Sequence, residues 1–272
     1  MRVPFIKMHG LGNDFVVLDS RTDAVPPIDQ ATAAGIADRK TGIGCDQVIL
    51  LEPSQRADLR MRIFNADGGE VEACGNASRA VGLLLGAPAR IETLGGIVSA
   101  SPAGDCIAVD MGCPHFGWDE IPLAYAMDTL AMPVGWDGLE SPVGVNVGNP
   151  HAVFFVADPA AVDLERLGPV IEHDPLFPER VNVNVASVTS REAIRLRVWE
   201  RGAGETRACG TGACATAVAA IRRGLCDRRV AVTLAGGPLV IEWNADDRVV
   251  MTGPAAESFR GSFDAGQFGV AA

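Results

Sequence analysis

The sequence predicts an α+β protein of two pseudo-symmetric domains, each a mostly antiparallel sheet curled around a central helix. Three observations lead there. First, RIFNADGGEVEACG (62–75) aligns with RVWERGAGETRACG (197–210), matching Arg62 to Arg197, Gly69 to Gly204, Glu70 to Glu205, Ala73 to Ala208, Cys74 to Cys209 and Gly75 to Gly210. Second, the register extends in both directions. LGNDFVVLD (11–19) faces VGNPHAVFFVAD (147–158), pairing Asn13 with Asn149; Gln47 falls on Asn182; and ETLGGIVSA (92–100) resembles VTLAGGPLVI (232–241). Matches in one order along a chain mark an internal duplication. Third, CGTGACATAVAAIRR (209–223) is small or apolar on nearly every face until its last turn, so it requires enclosure rather than a surface to lie on.

Each half then has the same order of elements. An apolar strand, DFVVLD (14–19) or AVFFVAD (152–158), is followed by a helix expected over 29–40 or 160–172. Next come QVILLE (47–52) or NVNVASV (182–188), and an alternating strand, LRMRIFN (59–65) or IRLRVWE (194–200), that ends in a glycine-containing turn. After the turn, helices run from Cys74 to about Leu85 and from Cys209 to about Arg223, stopped by Gly86 with Pro88 and by Gly224. Three short strands close each half. Residues 1–115 are therefore expected to form the first domain around Cys74. Residues 116–256 form a linker, over 116–145 where Pro, Gly and Trp interrupt the pattern, and then the second domain around Cys209.

Composition narrows the function. With 48% hydrophobic and 21% charged residues the chain is globular and long enough for about two domains. A net charge of -11, with scattered basic residues, offers no footprint for nucleic acid or an anionic membrane, which leaves a small molecule or a protein as partner. No stretch approaches the roughly 18 unbroken apolar residues of a membrane span, and MRVPFIKMHG lacks the apolar core of a leader, so a cytoplasmic protein is expected. Seven cysteines without a CxxC pair argue against a disulfide framework or a zinc ribbon. His9, His115, His151 and His173 are too dispersed for a metal site, and none is expected. Only Lys7 and Lys40 could form a Schiff base, and GxGxxG and Walker A patterns are absent, so no cofactor is expected either.

The repeated cysteines carry the chemistry. A helix start presents unpaired N–H groups and partial positive charge, which stabilise a thiolate and bind a carboxylate. Cys-Gly-Asn and Cys-Gly-Thr place both functions together, with Asn76 or Thr211 adding a side-chain donor. Two such sites suit inversion of a stereocentre next to a carboxylate: one thiolate takes the proton from one face and a thiol delivers a proton to the other. Cys45, Cys106, Cys113, Cys214 and Cys226 have no repeat counterpart and are assigned to packing. Arg62 and Arg197 suit structural ion pairs, and Glu70 and Glu205 suit turn or capping roles.

KMHGLGNDFVVLD, GIGCDQ, RIFNADGGEVEACGN, VGNPHAVFF, PERVNVN and WERGAGETRACGTGACA resemble, in order and spacing, the motif blocks of the diaminopimelate epimerase family, over nearly the whole chain. The resemblance implies two similar domains, with a C-terminal segment, 257–272, returning to the first. It also implies cofactor-independent interconversion of LL- and meso-diaminopimelate, toward lysine and peptidoglycan, by a homodimer. On this reading Cys74 and Cys209 are base and acid, and Cys74 serves the LL isomer. Gly75, Asn76, Gly210 and Thr211 cradle the α-carboxylate. Asn13, Gln47, Asn65, Asn149, Asn182, Glu200 and Arg201 bind substrate, Arg201 through the distal carboxylate, and His151 stands beside the thiols with Glu200 in support. The chain departs from many members at Ala80, where they carry another cysteine. Alternatives are a racemase for another amino acid, a thiol redox protein and a non-catalytic amino-acid-binding module. Asn65, Asn182 and Arg201 favour a substrate with a second carboxylated end over the first alternative.

Overall fold

The computed structural model describes residues 1–268; the last four residues of the expected returning segment lie outside the described residues. The chain divides into two compact units, one of Met1–Val109 and the stretch from Gly253, the other of Asp110–Thr252.

In the first unit, strands Arg2–Gly10 and Asn13–Asp19 pair as a hairpin whose two-residue loop has positive φ at Leu11 (57°) and Gly12 (92°). That is the turn whose twist matches paired strands, and it fixes Asn13 at the start of the second strand. Helix α1, Gln30–Ala37, capped by Asp29 on Thr32 N, crosses over to Gln47–Glu52, which runs parallel to Asn13–Asp19. Leu59–Asn65 then pairs antiparallel, placing Asn65 opposite Gln47. After the short strand Glu70–Val71 comes α2, Gly75–Leu85, followed by Ala89–Thr93, Gly96–Ala103 and Cys106–Asp110. The returning strand Ala256–Asp264 lies antiparallel to Arg2–Gly10.

The second unit repeats the order. Pro150–Phe155 is followed by α3, Leu164–Glu172, and then by Asn182–Ser190, which is parallel to it with His151 opposite Asn182. Ala193–Glu200 and Gly204–Thr206 lead into α4, Gly210–Arg222, and Arg229–Leu234, Gly237–Trp243 and Val249–Gly253 follow. Val143–Asn146 adds an antiparallel neighbour to Pro150–Phe155. The α+β duplicated fold expected from the sequence is the fold observed.

α4 is enclosed, as its composition requires. Every residue from Gly212 to Ala220 is buried, and the helix packs against Val143–Asn146, Pro150–Phe155, Asn182–Ser190, Ala193–Glu200, Arg229–Leu234 and Gly237–Trp243. Alanines let those strands close on it from several sides. α2 does the same less completely: Gly75–Gly82 is buried, and a Cβ at Gly82 would come within 2.8 Å of Ile107.

Two helices are shorter than the sequence predicts. The Asp38 carboxylate accepts from Lys40 N and Thr41 N, closing a side-chain turn that ends α1 at Ala37 rather than at 40. Residues 159–161 form a separate 3-10 turn, and α3 begins after Asp163, whose carboxylate caps Arg166 N. Residues 116–145 contain little regular structure, yet Ile121, Leu123, Met132 and Leu139 are buried in one core with Phe154, Leu164 and Val183.

Candidate active site

Both repeated cysteines are helix N-caps. Cys74 and Cys209 have extended backbones, and their sulfurs accept from Ala77 N at 3.5 Å and Gly212 N at 3.4 Å. Sulfur thus occupies the place usually held by a serine or aspartate oxygen, within the field of the helix start. Gly75 and Asn76, and Gly210 and Thr211, open these helices, so their backbone N–H groups lie at the positive helix ends. The approach to each helix is braced identically: Arg62 pairs with Glu70, and Arg197 with Glu205, each at 2.8 Å. Arg62 and Arg197 thus form the structural ion pairs expected of them, with Glu70 and Glu205 as their partners rather than as turn or capping residues.

The two thiols differ in surroundings. Cys74 is half-buried, whereas Cys209 is 2% exposed. Burial pushes the Cys209 thiol well above its ordinary value, the charge and hydrogen bond of Glu200 push it further, and Thr211 and Gly212 N only partly oppose them. These surroundings favour the neutral thiol form of Cys209.

Around Cys74, Asn13 Oδ1 accepts from Asn76 Nδ2 at 3.1 Å and lies 4.0 Å from the sulfur, while Asn13 Nδ2 donates to Asp46 at 2.9 Å. Asp46 is held by Arg39 at 2.7 Å, and Arg39 also grips Asp14, which pairs with Lys7. Burial alone would raise Asp14, but Arg39 and Lys7 outweigh it and hold the carboxyl well below the usual range. Gln47 and Asn65 form a cross-strand pair, Gln47 Nε2 donating to Asn65 Oδ1 at 2.9 Å. Asp46 and Arg39 have no assigned role in the sequence reading, although Asp46 lies within the GIGCDQ block.

Around Cys209, His151 is wholly buried, with Nδ1 3.0 Å from Asn184 Oδ1 and Nε2 2.9 Å from Asn149 Oδ1. Burial, with Arg201 adding and Asn184 opposing, lowers His151 to about 4, so the ring is neutral at pH 7. Asn182 is also buried and spends both ends on backbone, donating to Pro150 O at 2.8 Å and accepting from Arg201 N at 2.9 Å. It shapes the turn that carries Glu200 and Arg201. Thr206 donates to Glu200, and Arg201 Nη1 reaches Glu179 O at 2.9 Å. The same turn is clamped from below by buried Glu172, which accepts from Trp199 Nε1 at 2.7 Å and Gly202 N at 2.9 Å. Asn184 and Glu172 escaped the sequence reading. The signal for Asn184 was available, a second asparagine at alternate spacing on an otherwise apolar strand.

Among the described residues no cluster of three or more His, Cys, Asp or Glu could hold a metal, and no helix is long and apolar enough to cross a membrane.

The diaminopimelate epimerase family profile matches residues 5–117 and 143–257. The diaminopimelate epimerase of Erythrobacter litoralis is 69% identical over 98% of this chain and 100% of its own length, and that of Rhizorhabdus wittichii is 63% identical over 99% and 98%. Among solved structures, a hydroxyproline epimerase from Agrobacterium vitis with bound trans-4-hydroxy-L-proline superposes with a TM-score of 0.67 at 16% identity, covering 96% of this chain and 91% of that one. That likeness concerns the fold. With the family profile spanning both halves and full-length relatives above 60% identity, the chain belongs to the diaminopimelate epimerase family.

Proposed function

We propose that the protein is an isomerase that epimerises LL-diaminopimelate to meso-diaminopimelate by a two-base reaction, without metal or organic cofactor, as a cytoplasmic homodimer supplying lysine and peptidoglycan precursors. The observation that carries the mechanism is the duplicated thiol N-cap: each half sets one sulfur among the N–H groups of a buried helix start.

On this reading the α-carboxylate takes the N–H groups of Gly75, Asn76, Gly210 and Thr211. Cys74, as thiolate, removes the α-proton of the LL isomer, and the C–H electron pair moves into the carboxylate, where the helix starts stabilise the added charge. Cys209, a neutral thiol, gives its proton to the opposite face of the same carbon. The turnover leaves Cys74 as thiol and Cys209 as thiolate, ready for the reverse hand, or for reset by proton exchange with water. Asn13, Gln47, Asn65, Asn149 and Asn182 line the substrate, His151 and Glu200 support the thiols, and Arg201 pairs with the distal carboxylate in a charge-assisted bond.

Proton NMR of reduced protein with LL-diaminopimelate in heavy water tests this. Deuterium should enter the α-position as meso product accumulates, and Cys74→Ala and Cys209→Ala should each abolish steady-state turnover while retaining the fold. Wild-type turnover in either variant would rule out the two-base scheme.

A further inference from the structure

Asn184 takes part in a buried relay whose backbone partner fixes which end of its carboxamide faces His151. The residue is fully buried on the strand Asn182–Ser190, facing the first turns of α4. Its Nδ2 lies 2.9 Å from Gly212 O and 2.9 Å from Thr216 Oγ1. A backbone carbonyl can only accept, so the NH2 end of Asn184 must face Gly212 and the carbonyl end must face His151. The two ends of a carboxamide are alike in shape and are told apart by such partners. Asn184 Oδ1 can only accept as well, so Nδ1 of His151, 3.0 Å away, carries a proton.

The consequence passes through the ring. A buried neutral imidazole protonated at Nδ1 has a lone pair at Nε2, yet the Asn149 atom placed 2.9 Å from Nε2 is Oδ1. On a neutral ring two acceptors cannot face each other at that distance, so the Asn149 amide is flipped end for end from that placement, its NH2 toward His151 and its carbonyl oxygen outward. The repeat offers a comparison. In Asn13, the counterpart of Asn149, the NH2 donates to Asp46 and the carbonyl oxygen faces Asn76 and Cys74.

We propose that Asn184 is a positioning residue that fixes His151 as the neutral Nδ1–H tautomer and thereby orients the Asn149 carboxamide with its carbonyl oxygen toward the ligand. The two halves thus present the same acceptor by different means, a carboxylate behind Asn13 and a histidine set by asparagine behind Asn149. An outward carbonyl favours donors on the ligand, such as an ammonium group, and disfavours a carboxylate. The role in turnover rests on the proposed epimerase reading; the tautomer does not.

Long-range proton–nitrogen correlation spectra of uniformly labelled, full-length protein at pH 7 test the assignment, with His151 identified by loss of its signals in His151→Gln. The expected result is one directly bonded proton, on Nδ1, with Nε2 bare. A proton on Nε2, alone or together with Nδ1, would overturn the proposal. In Asn149→Asp the carboxylate replaces the NH2 donor, so the ring should become doubly protonated at pH 7; an unchanged ring would again refute it. Asn184→Asp, if folded, should also shift the ring to the doubly protonated form and lower kcat/KM by about tenfold or more. The Nδ1–H tautomer in a protein that neither exchanges nor inverts diaminopimelate would support the positioning assignment and count against the substrate instead.

Discussion

Replacing Gly168 with alanine should destabilise the second unit and disturb the turn that bears Glu200 and Arg201. Gly168 lies in α3 beneath the Trp199 indole, where an added Cβ would stand 2.3 Å from Cδ2 and 2.5 Å from Cγ. The ring cannot simply swing aside, because its Nε1 is bonded to buried Glu172, whose other oxygen holds Gly202 N. Overpacking costs about 1–3 kcal/mol. Losing a hydrogen bond to a charged acceptor adds about 1.5–3 kcal/mol. Better helix propensity returns about 1 kcal/mol. The net loss is about 3 kcal/mol, a large part of the roughly 5–15 kcal/mol by which domains are stable. Urea unfolding followed by tryptophan fluorescence and by circular dichroism would measure it, with coincident transitions required for a two-state analysis. In a Trp199→Phe background the ring loses its tether to Glu172 and can move aside, so Gly168→Ala should cost less there, a non-additivity the double-mutant cycle reads directly. A loss below about 0.5 kcal/mol in the wild-type background, typical of an ordinary surface change, would refute the reasoning.

Two further outcomes concern protons. Glu200→Gln removes a negative charge that pushes the Cys209 thiol upward, so at pH 8 Cys209 should be alkylated by iodoacetamide faster than in wild type; an equal or slower rate, read by peptide mass spectrometry, would contradict the assigned cause. His151 titrates at about 4 in the fold against 6.5 as its ordinary value, so below pH 6.5 the unfolded chain binds the extra proton and stability falls until about pH 4. The whole window corresponds to about 3 kcal/mol, and His151→Gln should flatten that part of the pH–stability curve. A curve unchanged by the substitution would show that His151 is not neutral and buried.

Much of this was legible because duplication amplifies weak signals. A single cysteine before a glycine reads as packing, but Cys74 and Cys209, each after the same Arg–Glu braced strand and before a helix, point to one function. The small residues of α4 announced its enclosure for a physical reason, since only a helix without a solvent face can omit charge for so long. The helix ends of α1 and α3 were misjudged because they depend on side-chain turns at Asp38 and Asp163. Asn184, Asp46 and Glu172 were harder still. Each acts through groups distant in sequence, Gly212 O, Asn13 Nδ2 and Gly202 N, and no local pattern announces such a partner. The bonds of Asn182 to Pro150 O and Arg201 N were equally hidden, since both partners lie far along the chain.

The enclosure of α4 also governs motion. Amides of a helix at a protein surface exchange with solvent through local fraying, but α4 has strands on several sides and a buried first turn. Its N–H groups beyond that turn can reach water only when much of the second unit opens, so their exchange should track global unfolding rather than local breathing. The backbone donors of Gly210 and Thr211 are therefore set in one of the stiffest parts of the unit. On the proposed function, a carboxylate that does not fit them would be rejected rather than accommodated.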